Sequence, residues 1–390
     1  MKIILCTWGS LCESGIISAA ERLGYNLITF TQSYTDVDYD KNYFTSLVSF
    51  ISANTDASCV FSINYIPIIS RACKPFKIPY ISLNADCPCS TLYSKTLEYP
   101  HNRVFLFDRL QAEKFMPVNP ENIHHIPLAT DVEYWHSISL SKDDISIFNC
   151  DVSFVGSLYT EKCQYNRIEN KLPQIMKGYV DGLIIAQQNV YGYYFIEDSI
   201  TEEWAREFQK YAELSLPAED YEDDIRAIIA DNYLGYKCTE QERINTLRAI
   251  SNYFNIDLWT ASDASMLPNV NVRGVADSST MMPKIFKCSK ININITNRAI
   301  RSGIPLRVLD IMGCGGFIIS NYQPELTEYF VPDKEIVLYD SIPDLLSKID
   351  HYLKHDNERI QIAQNGYEKV KKLHTYDNRL AQILEIAQLT

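Results

Sequence analysis

The sequence predicts an α/β protein of two facing, doubly wound parallel-sheet domains, with a helical insertion in the second. Three observations predict it. Short apolar runs alternate with amphipathic stretches through both halves of the chain, the pattern of βα units that build a parallel sheet. The run Cys150-Asp151-Val152-Ser153-Phe154-Val155-Gly156-Ser157-Leu158 repeats the start of the chain: buried strand, small-residue turn, helix. At 390 residues the length suits two domains.

In the first half, residues 2–8 read as a buried strand, 9–15 as a turn and 16–23 as an amphipathic helix. Strands follow at 26–31, 59–65, 79–84, 103–107 and 123–128. Between them lie a helix over 38–53, with Phe44, Leu47, Val48 and Ile51 at a 3.6-residue period, and one over 66–73 opened by Pro67. The polar stretch 137–149 marks the boundary, giving domains at 1–145 and 146–375. After the strand at 150–155 the reading turns helical over about 161–254, with helices at 175–187, 204–214 and 240–254 and an exposed acidic run at 219–224. Strands resume at 256–260, 270–275, 290–295 and 335–339, with a helix opened by Pro283 between the second and third of these. Helices at 341–354, 357–372 and 379–387 close the chain.

The chemistry centres on residues 302–321. Ser302-Gly303-Ile304-Pro305-Leu306-Arg307-Val308-Leu309-Asp310 reads as a helix with Pro305 at its first position. Gly313, Gly315 and Gly316 end it and permit positive φ, and Phe317-Ile318-Ile319 is a strand covered on both faces. Arg307 and Asp310, three apart, share a helix face. They read either as a surface ion pair or as a diphosphate-binding cation beside a ribose-binding acid. Ligands collect beyond the carboxyl ends of strands in such sheets, and helix amino termini there attract phosphate. Gly156 and Ser157, Gly303, and the turn carrying Tyr322 and Gln323 fall at such ends in the second domain; Gly9, Asn64 and Asp86 do so in the first. Asp86 reads as a general base or as a helix cap or turn former. Asn292 and Asn294 point to one face of a strand, as pocket or structural hydrogen-bonding groups. His374 opens a tail that reads as a domain-crossing hinge.

Composition narrows the function. A net charge of −13 argues against nucleic acid or an anionic membrane as the main partner. No run approaches the roughly 20 apolar residues of a membrane span, and the opening residues are too soon interrupted for a signal peptide. Eleven cysteines, an odd number without a framework, point to a reduced, cytoplasmic chain. Cys87-Pro88-Cys89 has no second pair at zinc spacing, and His124 and His125 point to opposite strand faces, so no metal is expected. Neither a P-loop nor a Gly-x-Gly-x-x-Gly after the first strand is present, which excludes P-loop ATPases and disfavours a dinucleotide cofactor.

Residues 284–384 closely resemble the carboxyl-terminal domain of the bacterial spore maturation protein CgeB-like glycosyltransferases. The resemblance is carried by Ser289-Lys290-Ile291-Asn292-Ile293-Asn294, Ser302-Gly303-Ile304-Pro305-Leu306-Arg307 and Gly315-Gly316-Phe317. Tyr352-Leu353-Lys354-His355 with Arg359, and His374-Thr375-Tyr376 with Arg379, extend it. In the first domain the matching pieces are residues 60–69, 79–88 and 126–129. The resemblance implies a GT-B fold, two Rossmann-like domains, with a last helix (376–390) crossing back to the first. It implies a metal-independent, hexosyltransferase-like enzyme without a cofactor, which moves a sugar from a nucleotide-diphosphate sugar, a UDP-sugar foremost, to an acceptor hydroxyl. Arg307, Gly156, Ser157, Gly303, Tyr322 and Gln323 would hold the diphosphate side, Asp310 the ribose and Asp86 the acceptor proton, with Gly9 and Asn64 on the acceptor side. Related enzymes of the glycogen-synthase type carry an acid where this chain has Ser302, and Leu83-Asn84-Ala85 replaces a common Trp before Asp86. The sugar contact and the stereochemical outcome are therefore unassigned. The rival expectation is a catalytically silent protein of the same fold that binds a glycan or partner in surface-structure assembly.

Overall fold

A computed structural model describes residues 1–212, 221 and 224–389. The chain forms two compact units, one of residues 1–130 with 215–224 and 374–390, the other of 131–214 with 225–373.

The first unit carries β1 (Lys2–Cys6), β2 (Asn26–Phe30), β3 (Cys59–Ile63), β4 (Tyr80–Asn84), β5 (Asn102–Leu106) and β6 (Ile123–His125). They form one sheet in the order β2-β1-β3-β4-β5-β6, every pairing parallel. β3 and β4 are buried throughout, as strands covered by helices on both faces must be. The helix Lys41–Ala53 starts at Asp40, whose carboxylate accepts from Tyr43 N, so its first residues are a cap and not helix as the periodicity suggested. The helix Tyr376–Ile386 belongs to this unit. It packs on the helix Glu13–Arg22, where the Tyr376 ring lies against Gly15, and Arg22 forks onto Asp377 at 2.9 Å.

The second unit carries β7 (Cys150–Val155), β8 (Ile256–Trp259), β9 (Asn271–Gly274), β10 (Ser289–Asn294), β11 (Ile318–Asn321) and β12 (Val337–Tyr339). Its sheet runs β12-β11-β10-β7-β8-β9, again all parallel. The chain reverses its direction of growth across the sheet between β7 and β10, the topological switch point. Between β7 and β8 the helices Gln174–Gln188, Glu202–Gln209 and Tyr236–Ser251 build their own core on Tyr165, Val180, Ile184, Phe208 and Tyr233. The acidic run at 219–224 lies outside the described residues, apart from Tyr221 and Asp224.

Residues 131–149, which include the polar stretch 137–149 that marks the domain boundary in sequence, fall in the second unit. Ser141 opens the helix Lys142–Phe148 through a capping box with Asp144. The other oxygen of Asp144 takes Lys284 at 2.8 Å, and Lys287 donates to the carbonyls of Trp135 and Ile138. Polar composition here reflects caps and ion pairs. Among the described residues no helix is long and apolar enough to cross a membrane.

Candidate active site

The switch point of the second unit is built outward from β7 and β10. Asn292 and Asn294 hold the strands together. Asn292 accepts from Ser153 and donates to the carbonyls of Phe286 and Phe317, while Asn294 donates to Thr296 and Ser320. Both are structural.

Beyond β7, Gly156 N donates to Trp259 O at 3.0 Å, and the Ser157 hydroxyl donates to Glu161 and accepts from Tyr159 N. The guanidinium of Arg243, from the helix Tyr236–Ser251, bridges the two strand ends. It donates to Ser157 O at 2.5 Å and Ile295 O at 2.6 Å. Tyr159 is held at φ +70°, in the left-handed region that disfavours side chains, and its ring lies 4.7 Å from this guanidinium. A Cβ on Gly156 would sit 3.6 Å from Arg243 Nη1, so glycine keeps that edge uncovered.

Arg307 stands in the first turn of the helix Leu306–Gly313. It lies over the Phe286 ring with Nη1 2.9 Å from Met282 Sδ. Its distance to Asp310 is 3.9 Å, at the margin of an ion pair. Burial pushes both guanidinium pKa values down, and at Arg243 the positive charge of Arg307 acts in the same direction. Two half-buried cations thus repel each other at one switch point, an arrangement that a polyanion would relieve.

The loop between β10 and this helix is clamped to the helical insertion. Arg298 makes a bidentate, buried pair with Glu242, and Arg301 pairs with Glu197 and Asp231. Ser302 donates to Glu325 Oε1 at 2.7 Å, with the Glu325 carboxylate fully buried. Gly303 is buried in this loop, and Pro305 caps the helix from outside, one position earlier than the sequence suggested. At the far end, Gly315 N donates to Met312 O and Gly316 N to Ile311 O, the paired bonds of a Schellman ending. Only Gly315 uses positive φ (+78°); Gly316 is required for space, since a Cβ there would meet Phe286 O at 2.7 Å. Tyr322 packs its ring on Gly192, and Gln323 donates to Ile300 O, so both side chains brace the protein interior.

In the first unit, Gly9 (φ +98°) and Trp8 direct their N–H groups to the Glu13 carboxylate, at 3.2 and 2.8 Å to Oε1. An acid thus occupies the place where a nucleotide-binding turn would receive phosphate. At the ends of β3 and β4, Asn64 adopts φ +61° and accepts from Ala85 N and Asp86 N. Its amide donates to Asp86 Oδ2 at 2.6 Å, so an exposed carboxylate is oriented by a strained neighbour. Asp86 caps no helix.

Comparison with known proteins agrees with this layout. Residues 242–385 match a family model described as glycosyl transferase-like. No curated protein sequence matches the chain. Among solved structures, Anabaena HepE in complex with UDP-glucose aligns over 100% of both chains with TM-score 0.54 at 11% identity. Sucrose-phosphate synthase from Thermosynechococcus elongatus aligns over 100% of this chain and 98% of its own, with TM-score 0.54 at 12% identity. A glycosyltransferase from Rickettsia africae gives TM-score 0.52 at 11% identity over 99% and 97%. The chain has the GT-B fold.

Within this GT-B chain the sequence reading missed Arg243, Glu325 and Glu13. A signal for Arg243 was present. Leu247, Ile250 and Phe254 continue its line down the apolar stripe of the helix, so a cation stands on the buried face. Among the described residues no group of three or more His, Cys, Asp or Glu forms a metal-ligating cluster.

Proposed function

We propose that this GT-B chain is a glycosyltransferase that moves a sugar from a nucleotide-diphosphate sugar to an acceptor hydroxyl. The observation that carries the proposal is the pair of half-buried guanidinium groups, Arg243 and Arg307, at the β7–β10 switch point. A diphosphate would add negative charge beside this pair, and the leaving nucleotide develops more negative charge as the glycosidic bond breaks. Arg243 and Arg307 would neutralise it, the role a metal fills in other folds, with Gly156, Ser157 and Gly303 lining the approach. Asp310, one turn along from Arg307, would hold the ribose. Tyr322 and Gln323 support the loop behind this group.

For the acceptor we assign Asp86 as the base of an inverting reaction, its Oδ2 fixed by Asn64 and Gly9 leaving open space nearby. UDP is the first nucleotide to test, because the solved HepE complexes contain UDP or UDP-glucose. We retain the CgeB-like assignment on the 302–317 motif. We place the reaction in the cytoplasm, a compartment whose reducing conditions suit a chain with eleven scattered cysteines.

A thermal-shift panel of nucleotides and nucleotide sugars, followed by transfer and hydrolysis assays on those that bind, tests the reading. At least one nucleoside diphosphate should stabilise the protein, and Arg243→Gln and Arg307→Ala should each abolish that shift while circular dichroism stays unchanged. Binding without turnover points to the silent alternative; full activity in both variants overturns the diphosphate assignment.

A further inference from the structure

A cavity of about 340 Å³ opens between the helical insertion and the carboxyl end of β12. That volume is near the lower end of small-molecule pockets, roughly 300 Å³. Its walls are the end of the helix Gln174–Gln188, the middle of the helix Tyr236–Ser251 and the start of the helix Ile342–Lys354. It is distinct from the arginine pair. Glu242 and Arg243 are successive on one helix and diverge by about 100°. Arg243 reaches the β7 and β10 ends, while Glu242 lines this cavity on the side of the edge strand.

The lining is rich in carboxamides. Gln188 Nε2 donates to Gln241 Oε1 at 3.1 Å, and Asn245 Nδ2 donates to Gln188 Oε1 at 3.0 Å. The chain of amides is thereby oriented, and each amide nitrogen retains a second hydrogen for an incoming acceptor. Tyr191 adds a ring, with the Arg298 guanidinium 4.5 Å from its centroid. Glu242, nine-tenths or more buried, is neutralised by its bidentate pair with Arg298. Among the described lining residues none is Lys, Arg or His, and Asp340 adds negative charge at the rim.

We propose that this cavity is a carbohydrate subsite that takes an uncharged sugar residue of a glycan. Amides offer a donor and an acceptor side by side, which vicinal hydroxyls match in both directions, and the Tyr191 ring suits the C–H face of a pyranose. Anionic ligands meet no lining Lys, Arg or His, and Asp340 repels them at the rim. A neutral polyol satisfies the amides without an unpaired charge. The subsite does not depend on turnover at the nucleotide side.

Saturation-transfer NMR on the full chain, with a panel of neutral mono- and oligosaccharides (glucose, galactose, N-acetylglucosamine, maltotriose, cellotriose), tests the proposal. At least one should bind, equally well in the presence of saturating UDP and in Arg243→Gln. The double variant Gln241→Leu, Asn245→Leu should weaken binding about tenfold or more, the loss of one or two net hydrogen bonds. Gln241→Glu, which preserves size and adds negative charge, serves if the double variant fails to fold, and should also weaken binding. The proposal falls if no saccharide of the panel binds, if UDP competes, or if the lining variants bind as the parent does. UDP thermal shifts on the same samples report separately on the nucleotide site.

Discussion

Arg243 sits at an angle that only its two carbonyl partners explain. A guanidinium hydrogen-bonded to Ser157 O and Ile295 O is fixed in plane, and Tyr159 accepts left-handed backbone strain of about 1–3 kcal/mol to lie against it. Arg243→Lys should therefore perform poorly, since an ammonium cannot span both strand ends. Turnover should fall by about 10²- to 10³-fold, the usual effect of removing one group that stabilises a developing anion, and the melting temperature should drop as well, since the carbonyls of Ser157 and Ile295 lose their shared donor. Asp86→Asn should lower transfer by about 10²- to 10⁴-fold if the residue is the base, while nucleotide thermal shifts persist. Candidate residues were partly legible in the sequence. Arg307 and Asp310 stand out because they share a helix that runs into a glycine turn. Arg243 does not, because its partners arrive from β7 and β10, distant in sequence. Tyr322 and Gln323 resemble ligand groups in a turn, yet their contacts are with Gly192 and Ile300 O. The thiols give a direct chemical check. Burial pushes Cys6, Cys59 and Cys238 up to about 12, so thiolate is nearly absent at neutral pH. Iodoacetamide on the native protein should leave these three unmodified by peptide mass mapping, and label them after unfolding.

At the scale of elements, strands and helices of both sheets follow the sequence pattern closely, since alternation of buried runs and amphipathic stretches is a local property. The ends differ where a side chain caps a helix, as at Asp40, or where a glycine is needed for room instead of conformation. Gly316→Ala should thus destabilise the second unit by about 1–3 kcal/mol, because the new methyl would press on Phe286 O and the backbone must move. Gly315→Ala should act by a different route, through positive φ. Chemical denaturation of the two variants, with and without nucleotide, separates them: nucleotide binding should weaken in Gly316→Ala, whose displacement reaches the 306–313 helix. Ser302 and Glu325 form a latch that sequence could not reveal, since their contact joins a loop to a helix beyond β11. Ser302, at the head of the 302–321 motif, is one end of a buried hydrogen bond.

At the scale of the whole molecule, long-range connectivity decided what sequence could not supply. The polar stretch 137–149 marks a boundary in sequence because capping residues and boundary residues share a polar composition, and here it carries the capping box of the helix Lys142–Phe148. Asp144 makes the difference measurable. Lys284, and then Ser141, hold its carboxyl at about 2, below the roughly 3.9 of an unfolded Asp. A lowered folded-state pKa stabilises above the unfolded value and loses that effect as pH falls through the folded one. Asp144→Asn should therefore be less stable than the parent at pH 6, with the gap closing between about pH 4 and 2. Gly15→Leu should displace the Tyr376 ring and loosen the helix 376–386 from the first unit, seen as faster amide exchange in both helices and little change in the second unit.

Three separate stretches of chain complete the first unit, since Tyr221 bonds Asp38 at 2.8 Å and Thr130 N donates to His374 O at 2.9 Å. Synthesis is therefore out of step with assembly. The six strands of the first sheet emerge from the ribosome early, yet the helix that covers the Glu13–Arg22 face follows the entire second unit. The second unit, contiguous but for a single excursion, can close first. During translation the helix Glu13–Arg22 is made before the second unit and sheltered after it, and its Gly15 face stays available to chaperones until residue 386 is free.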